Sequence, residues 1–250
     1  MKKIFPLIAI LTLASTIASS ESVAYFETFN SGNNRTPNQA GWKNFVGDSA
    51  RDYSDFQSAS NGGTWNSTGV GAGTYIFEGN SYTGKVNMLY ANNLPTGGSV
   101  IDVGDVSKID FHSKGDATAG GFYLTLEVDG SWYRSVTNYS NIDSWTLRTH
   151  TFSTDASDWY VLDFTPGGTT DLGGGDYGGS LDFSGTTNPV SSLSGDLNHI
   201  GFAIQTAPAD ANQRFDEISI SVIPEPSALM LILTAGATCG LLGRSFRRKA

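Results

Sequence analysis

The chain has 250 residues, Lys+Arg 15 against Asp+Glu 24, and a formal net charge of −9. Setting aside the six cations of its two ends (Lys2, Lys3, Arg244, Arg247, Arg248 and Lys249) leaves nine cations against 24 acids, a net −15 with Glu225 retained. A body so acidic repels nucleic acid and anionic lipid, which excludes both as its partners, and the sole cysteine, Cys239, lies in the C-terminal apolar run, so the body holds no disulfide, thiol nucleophile or cysteine metal site.

In chain order, Met1-Lys2-Lys3 is a positive start, and Ile4 to Ile17 is an apolar stretch of about 14 residues, the length of a signal-peptide core. Ala18-Ser19-Ser20 and Ser22-Val23-Ala24 both place small residues at cleavage positions, so the cut falls after Ser20 or after Ala24. Residues 1–24 are thus expected to be a signal peptide, residues 25–223 one domain, and residues 224–250 a separate tail.

The body reads as β throughout. Lys108–His112 is a strand; Gly121–Val128 alternates apolar and polar residues and ends at Asp129-Gly130, a hairpin turn pair, from which Ser131–Val136 returns. Further strands are expected at Ser144–Phe152, Trp159–Phe164, His199–Gln205 and Arg214–Val222. Gly, Asn, Asp, Ser and Thr clusters lie between them, and no body segment has a sustained 3.6-residue apolar period with caps. Thirty glycines and an aromatic share of 12% suit tight turns around a two-sheet core. The expected fold is an all-β jelly-roll β-sandwich; the absence of a repeat argues against a propeller or a β-helix.

The stretch Gly201-Phe202-Ala203-Ile204, followed by Arg214-Phe215-Asp216-Glu217-Ile218-Ser219-Ile220, resembles the last two strands of galactose-binding-like jelly rolls. Tyr25-Phe26-Glu27-Thr28-Phe29 resembles their first strand. The resemblance implies that the first and last strands pair. It also implies that Glu27 and Asp216 are ligands of one structural Ca²⁺, with loop carbonyls completing a shell of about 6–8 oxygens.

No catalytic string is present in the body. His112, His150 and His199 sit in separate strands without metal-ligand spacing. A nucleophile elbow is missing. Sandwich glycosidases carry Glu-x-Asp-x-x-Glu on one strand face, and this chain has no such string. Asp216 and Glu217 are adjacent and are expected to point to opposite faces of a strand. The run Gly167 to Ser180 lacks the ending of a phosphate loop and the spacing of a repeated calcium turn; it reads as a surface loop. Aromatic side chains supply stacking faces for sugar rings. Trp65, in an Asn-Gly-Gly-Thr-Trp-Asn loop, and Trp132-Tyr133, after the turn, are the candidate glycan-stacking residues, and most other aromatics are expected in the core.

The tail begins Pro224-Glu225-Pro226, continues through the uncharged run Ala228–Leu242, and ends with Arg244, Arg247, Arg248 and Lys249. A helix over that run rises ~22 Å, against a hydrocarbon core of ~30 Å, so it spans with snorkelling flanks or a thinned bilayer. The terminal cations hold that end in the cytoplasm. The three parts, in this order, resemble the PEP-CTERM sorting tail of Gram-negative bacteria that make extracellular polysaccharide. That resemblance implies processing near Pro224-Glu225-Pro226 by an exosortase, and a mature protein released or attached at the cell surface. The expected function is therefore that of an exported, non-catalytic protein associated with exopolysaccharide or the extracellular matrix, by carbohydrate binding or as a structural component. The alternative is a secreted polysaccharide hydrolase or lyase.

Overall fold

A computed structural model of the chain describes residues 20–28, 42–46, 75–77, 87–91, 94, 100–115, 121–165, 180–204 and 213–223. The expected signal peptide up to residue 19, Trp65, the 167–179 glycine-rich run, Pro224-Glu225-Pro226, the apolar run and Arg244, Arg247, Arg248 and Lys249 lie outside these residues. Glu21–Ile223 form one compact unit.

Its strands are β1 (Ser22–Glu27), β2 (Trp42–Val46), β3 (Tyr75–Phe77), β4 (Asn87–Ala91), β5 (Val106–Gly115), β6 (Phe122–Val128) and β7 (Ser131–Tyr139). They continue as β8 (Thr146–Thr151), β9 (Trp159–Val161), β10 (Asp163–Thr165), β11 (Ser180–Asp182), β12 (Leu197–Ile204) and β13 (Gln213–Val222). One sheet runs β1-β13-β5-β8, with β3 also on β13. The other runs β2-β4-β12-β6-β7-β9. The pairings within both sheets are antiparallel, and the chain changes sheet at most connections, as in a jelly roll. The first and last strands pair, Tyr25 opposite Ile220 and Phe26 opposite Ser219.

Side-chain alternation builds the core between the sheets. Ile109 and Phe111 of β5 and Phe215, Ile218 and Ile220 of β13 project from the first sheet. Phe122, Leu124 and Leu126 of β6 and Ile200, Phe202 and Ile204 of β12 meet them from the second. Phe202 and Phe215, one from each sheet, stack at 4.1 Å with a 9° interplanar angle. Each such ring removed from water is worth ~2–3 kcal/mol.

The second sheet is covered on its other face as well. There Met88, Tyr90, Trp132 and Ala203 pack against Leu162, Phe164 and Phe183. Phe164 belongs to β10, which pairs with β11 as a separate two-stranded ribbon. This double cover explains why β6 is buried at nearly every position despite its alternating sequence. The expected strand Trp159–Phe164 is broken at Leu162, whose N–H donates to Trp132 O. The chain leaves the sheet there to lay β10 over its outer face.

Candidate functional site

The outer face of the second sheet, beneath β10, carries three buried polar residues, Thr125, Glu127 and Arg134. Register places it row by row. His199, Glu127 and Trp132 lie opposite one another on β12, β6 and β7. The next row is Tyr90, Gly201, Thr125, Arg134 and Tyr160 across β4, β12, β6, β7 and β9.

In the first row, the Asp129-Gly130 turn sets the geometry. Asp129 (φ 47°) and Gly130 (φ 84°) both take the left-handed conformation that the tightest hairpins need. The Gly130 N–H donates back to Glu127 Oε1, which also receives Asn198 Nδ2 at 3.5 Å. Glu127 Oε2 lies 3.7 Å from His199 Nε2. His199 Nδ1 donates to the Ala91 carbonyl at 2.6 Å, which fixes the ring. Trp132 stacks on that imidazole at 5.4 Å, with the planes 4° apart, and Phe164 and Tyr90 meet the indole edge-on at 4.9 and 5.1 Å.

Trp132 therefore departs from its expected exposure. It is 6% exposed, held between β10, Tyr90 and His199, and is a packing group rather than an open platform. Tyr133, next along the strand, points to the opposite face, is half-buried and packs against the inter-sheet core. Sequence could not show this, because the cover comes from β10, about 30 residues further along the chain.

In the second row, Arg134 is 6% exposed. Its Cζ lies 4.8 Å from the ring centre of Tyr123, 4.6 Å from Tyr160 and 5.2 Å from Phe183. Nη2 donates to Gly185 O at 3.0 Å. Among the described residues Nε finds no hydrogen-bond partner, and neither does the Oγ1 of its cross-strand neighbour Thr125, which is fully buried. Neither residue stands out in the sequence, since a polar residue on an alternating strand reads as solvent-facing until a second cover is known.

The acids named for calcium lie on the other sheet. Asp216 is fully buried, and its Oδ1 accepts the Glu217 N–H at 2.8 Å. Glu217 has φ 47° and sits in a bulge between Asp216, opposite His112, and Ser219, opposite Asp110. The expectation that Asp216 and Glu217 point to opposite faces fails for this reason. The extra residue cancels the alternation, and Glu217 Oε2 comes to 3.2 Å from His112 Nδ1, out of line for a hydrogen bond. Glu27 lies opposite Ile218, where β1 ends on β13; β3 takes up the same edge from Phe215 onward. The bulge thus marks the handover from one edge strand to the other. Among the described residues no three His, Cys, Asp or Glu side chains are grouped to hold a metal ion, and no helix is long and apolar enough to cross a membrane.

His150 is the third histidine. Its Nδ1 lies 2.7 Å from the Tyr139 hydroxyl, with Trp159 and Phe152 edge-on at 5.6 and 6.4 Å. Burial lowers its pKa below the ordinary value and outweighs the opposing pull of Asp158. Burial also pushes the Tyr139 phenol up to about 12, against the lowering effect of Arg148. The phenol therefore keeps its proton beside a neutral imidazole.

No protein-family model matches the chain. The curated proteins contain no match either. Among solved structures the chain is similar to a family 11 carbohydrate-binding module of a cellulosomal cellulase of Clostridium thermocellum, at 17% identity and a TM-score of 0.41, covering 81% of this chain and 95% of that one. It is similar to a mutant family 29 carbohydrate-binding module complexed with mannohexaose, at 11% identity and a TM-score of 0.38, covering 81% and 91%. It is also similar to an exo-β-agarase, at 14% identity and a TM-score of 0.40, covering 81% of this chain and 26% of that one. Likenesses of this size transfer neither ligand nor activity.

Proposed function

We propose that this is an exported, non-catalytic protein of the Gram-negative cell surface or extracellular matrix, associated with exopolysaccharide by binding it or by building the matrix around it. The observation that carries the reading is the pair of terminal sequences. A positive start with an apolar stretch precedes the β body, and Pro224-Glu225-Pro226, an uncharged run and four cations follow it. In this reading the tail holds the chain in the inner membrane until an exosortase cuts near Pro224-Glu225-Pro226, and the body passes outward. Trp65 supplies a sugar-stacking face, Tyr133 offers the part of its ring left outside the inter-sheet core, and Trp132 stacks only if Phe164 and His199 move away from it. A structural Ca²⁺ held by Glu27 and Asp216, with remaining oxygens from backbone carbonyls, braces the junction of β1 and β13.

Expression of the full-length protein in a polysaccharide-producing Gram-negative host, with and without its exosortase, tests the sorting. A shortened surface form that needs both the enzyme and Pro224-Glu225-Pro226 is expected; an uncut cytosolic chain would sink the reading. A glycan array and a reducing-sugar assay on the same protein test the rest, with glycan retention and no release of reducing ends expected. Turnover abolished by changing one acid would make the protein an enzyme instead.

A further inference from the structure

The two candidate signal-peptide cuts, after Ser20 and after Ala24, differ by four residues, and the fold treats the two products differently. β1 begins at Ser22, so the later cut falls inside it. Ser22 pairs with Val222 and Val23 with Ser221 on β13, and Ala24 and Val222 pack against the inter-sheet core. Ahead of the strand, Glu21 is tied down as well. Its Oε1 accepts from Ser107 Oγ at 2.6 Å and its Oε2 lies 3.5 Å from Lys108 Nζ, both on β5. The compact body starts at Glu21, and Ser20, Glu21 and Ser22 are all exposed. At the later bond the surroundings have changed. Tyr25 is 5% exposed, stands opposite Ile220, and its hydroxyl accepts from Trp42 Nε1 at 3.1 Å.

We propose that signal peptidase cuts between Ser20 and Glu21, so that the exported chain begins at Glu21. The inference rests on the proposed export and fixes its first processing site. The peptidase meets the chain extended, before β1 pairs, and reads small residues at the third and first positions ahead of the bond. Ala18 and Ser20 satisfy it at the earlier bond, Ser22 and Ala24 at the later one. Recognition is therefore indifferent, and the folded product separates the two. The earlier cut leaves β1 whole and keeps both contacts of Glu21. It places the new α-ammonium on an exposed residue, in water beside that residue's own carboxylate. The later cut would place the same charge on Tyr25, at the edge of the inter-sheet core, where a charge taken from water without a partner is costly. It would also strip the partners of Ser221 and Val222 and remove the side chain of Ala24 from the core margin. The bared edge of β13 would then be a template for pairing with another chain.

The test is amino-terminal sequencing, with intact mass, of the protein recovered from outside the cytoplasm of a Gram-negative host that expresses the full-length chain. Glu21 is the expected first residue. A chain beginning at Tyr25, or at any other residue past Met1, overturns this inference and leaves the proposed export standing. A chain that keeps Met1 and stays in the cytosol removes the export itself, and this inference with it. Two substitutions separate the bonds, because a tyrosine in a small-residue position spoils the site. Ser20→Tyr spoils only the earlier bond and is expected to abolish the Glu21 product. Ser22→Tyr, at an exposed position, spoils only the later bond and is expected to leave the Glu21 product at its full yield. The reverse pattern overturns the assignment. Cleavage precedes folding, so neither readout depends on the stability of the variant.

Discussion

His150 shows how one residue ties folding to pH. Its pKa is lowered on folding, so below the unfolded value of about 6.5 the unfolded chain binds a proton that the folded chain refuses. Stability is therefore fully present above that pH and falls as pH drops through it. Chemical denaturation from pH 8 to pH 5.5 is expected to show this loss, and His150→Gln should flatten it. An unchanged slope in the variant would remove His150 as the cause. Trp132 likewise departs from what its place in the sequence suggests. Its indole looks like a sugar platform in sequence but is stacked on His199 and closed over by Phe164. Trp132→Ala is thus expected to cost ~3–5 kcal/mol of stability, as core aromatic truncations do, read from urea unfolding. A loss below ~1 kcal/mol would mean the indole is not part of the packing.

At the scale of elements, turns and bulges aim the side chains. The β6–β7 turn needs Gly130 at φ 84°, where an added Cβ meets only Glu127 Oε1 at 4.0 Å. Gly195, at φ 110°, approaches the Asp129 carboxylate so closely that a Cβ would land on Asp129 Oδ2. Asp129 is held there because its Oδ1 accepts the Asp196 N–H and its own N–H donates to Asp196 O. Gly130→Ala should therefore cost about 1 kcal/mol, the backbone term alone. Gly195→Ala should cost distinctly more, since it adds a clash and breaks the bond to Asp196. Equal melting temperatures for the two variants would contradict this. The bulge at Asp216–Glu217 has a comparable role on β13. It gathers Glu217 against His112 and lies where β1 gives way to β3 along one edge.

At the scale of the whole molecule, three layers replace the two of a simple sandwich. The inter-sheet core is joined by a smaller one between the second sheet and β10–β11. That third layer buries Trp132 and leaves Arg134 and Thr125 unsatisfied beneath it. The proposed calcium belongs to this scale because it would brace the first strand against the last. Chelation is expected to lower the melting temperature, and Asp216→Asn should abolish the response to added Ca²⁺. A chelator-insensitive melt would remove calcium from the account.

The all-β class and most of the strands are legible in the residues alone. β5, β6, β7, β8, β12 and β13 follow from alternation and from Asp129-Gly130, because a strand with one face in a core must repeat every two residues. The pairing expected of Tyr25–Glu27 with the last strand is legible too, through the resemblance its residues carry. The short strands β2, β3 and β4 offer too little alternation to be read. Which faces are covered emerges once the chain is folded. Periodicity reports that a side chain faces one way; it carries no information on what a distant segment lays over that face. Glu127, Thr125 and Arg134 read as outward polar positions and are buried, because Phe164, Phe183 and Gly185 arrive from later in the chain. Glu217 reads as opposed to Asp216 and is not, because one inserted residue resets the alternation at a point no local pattern marks.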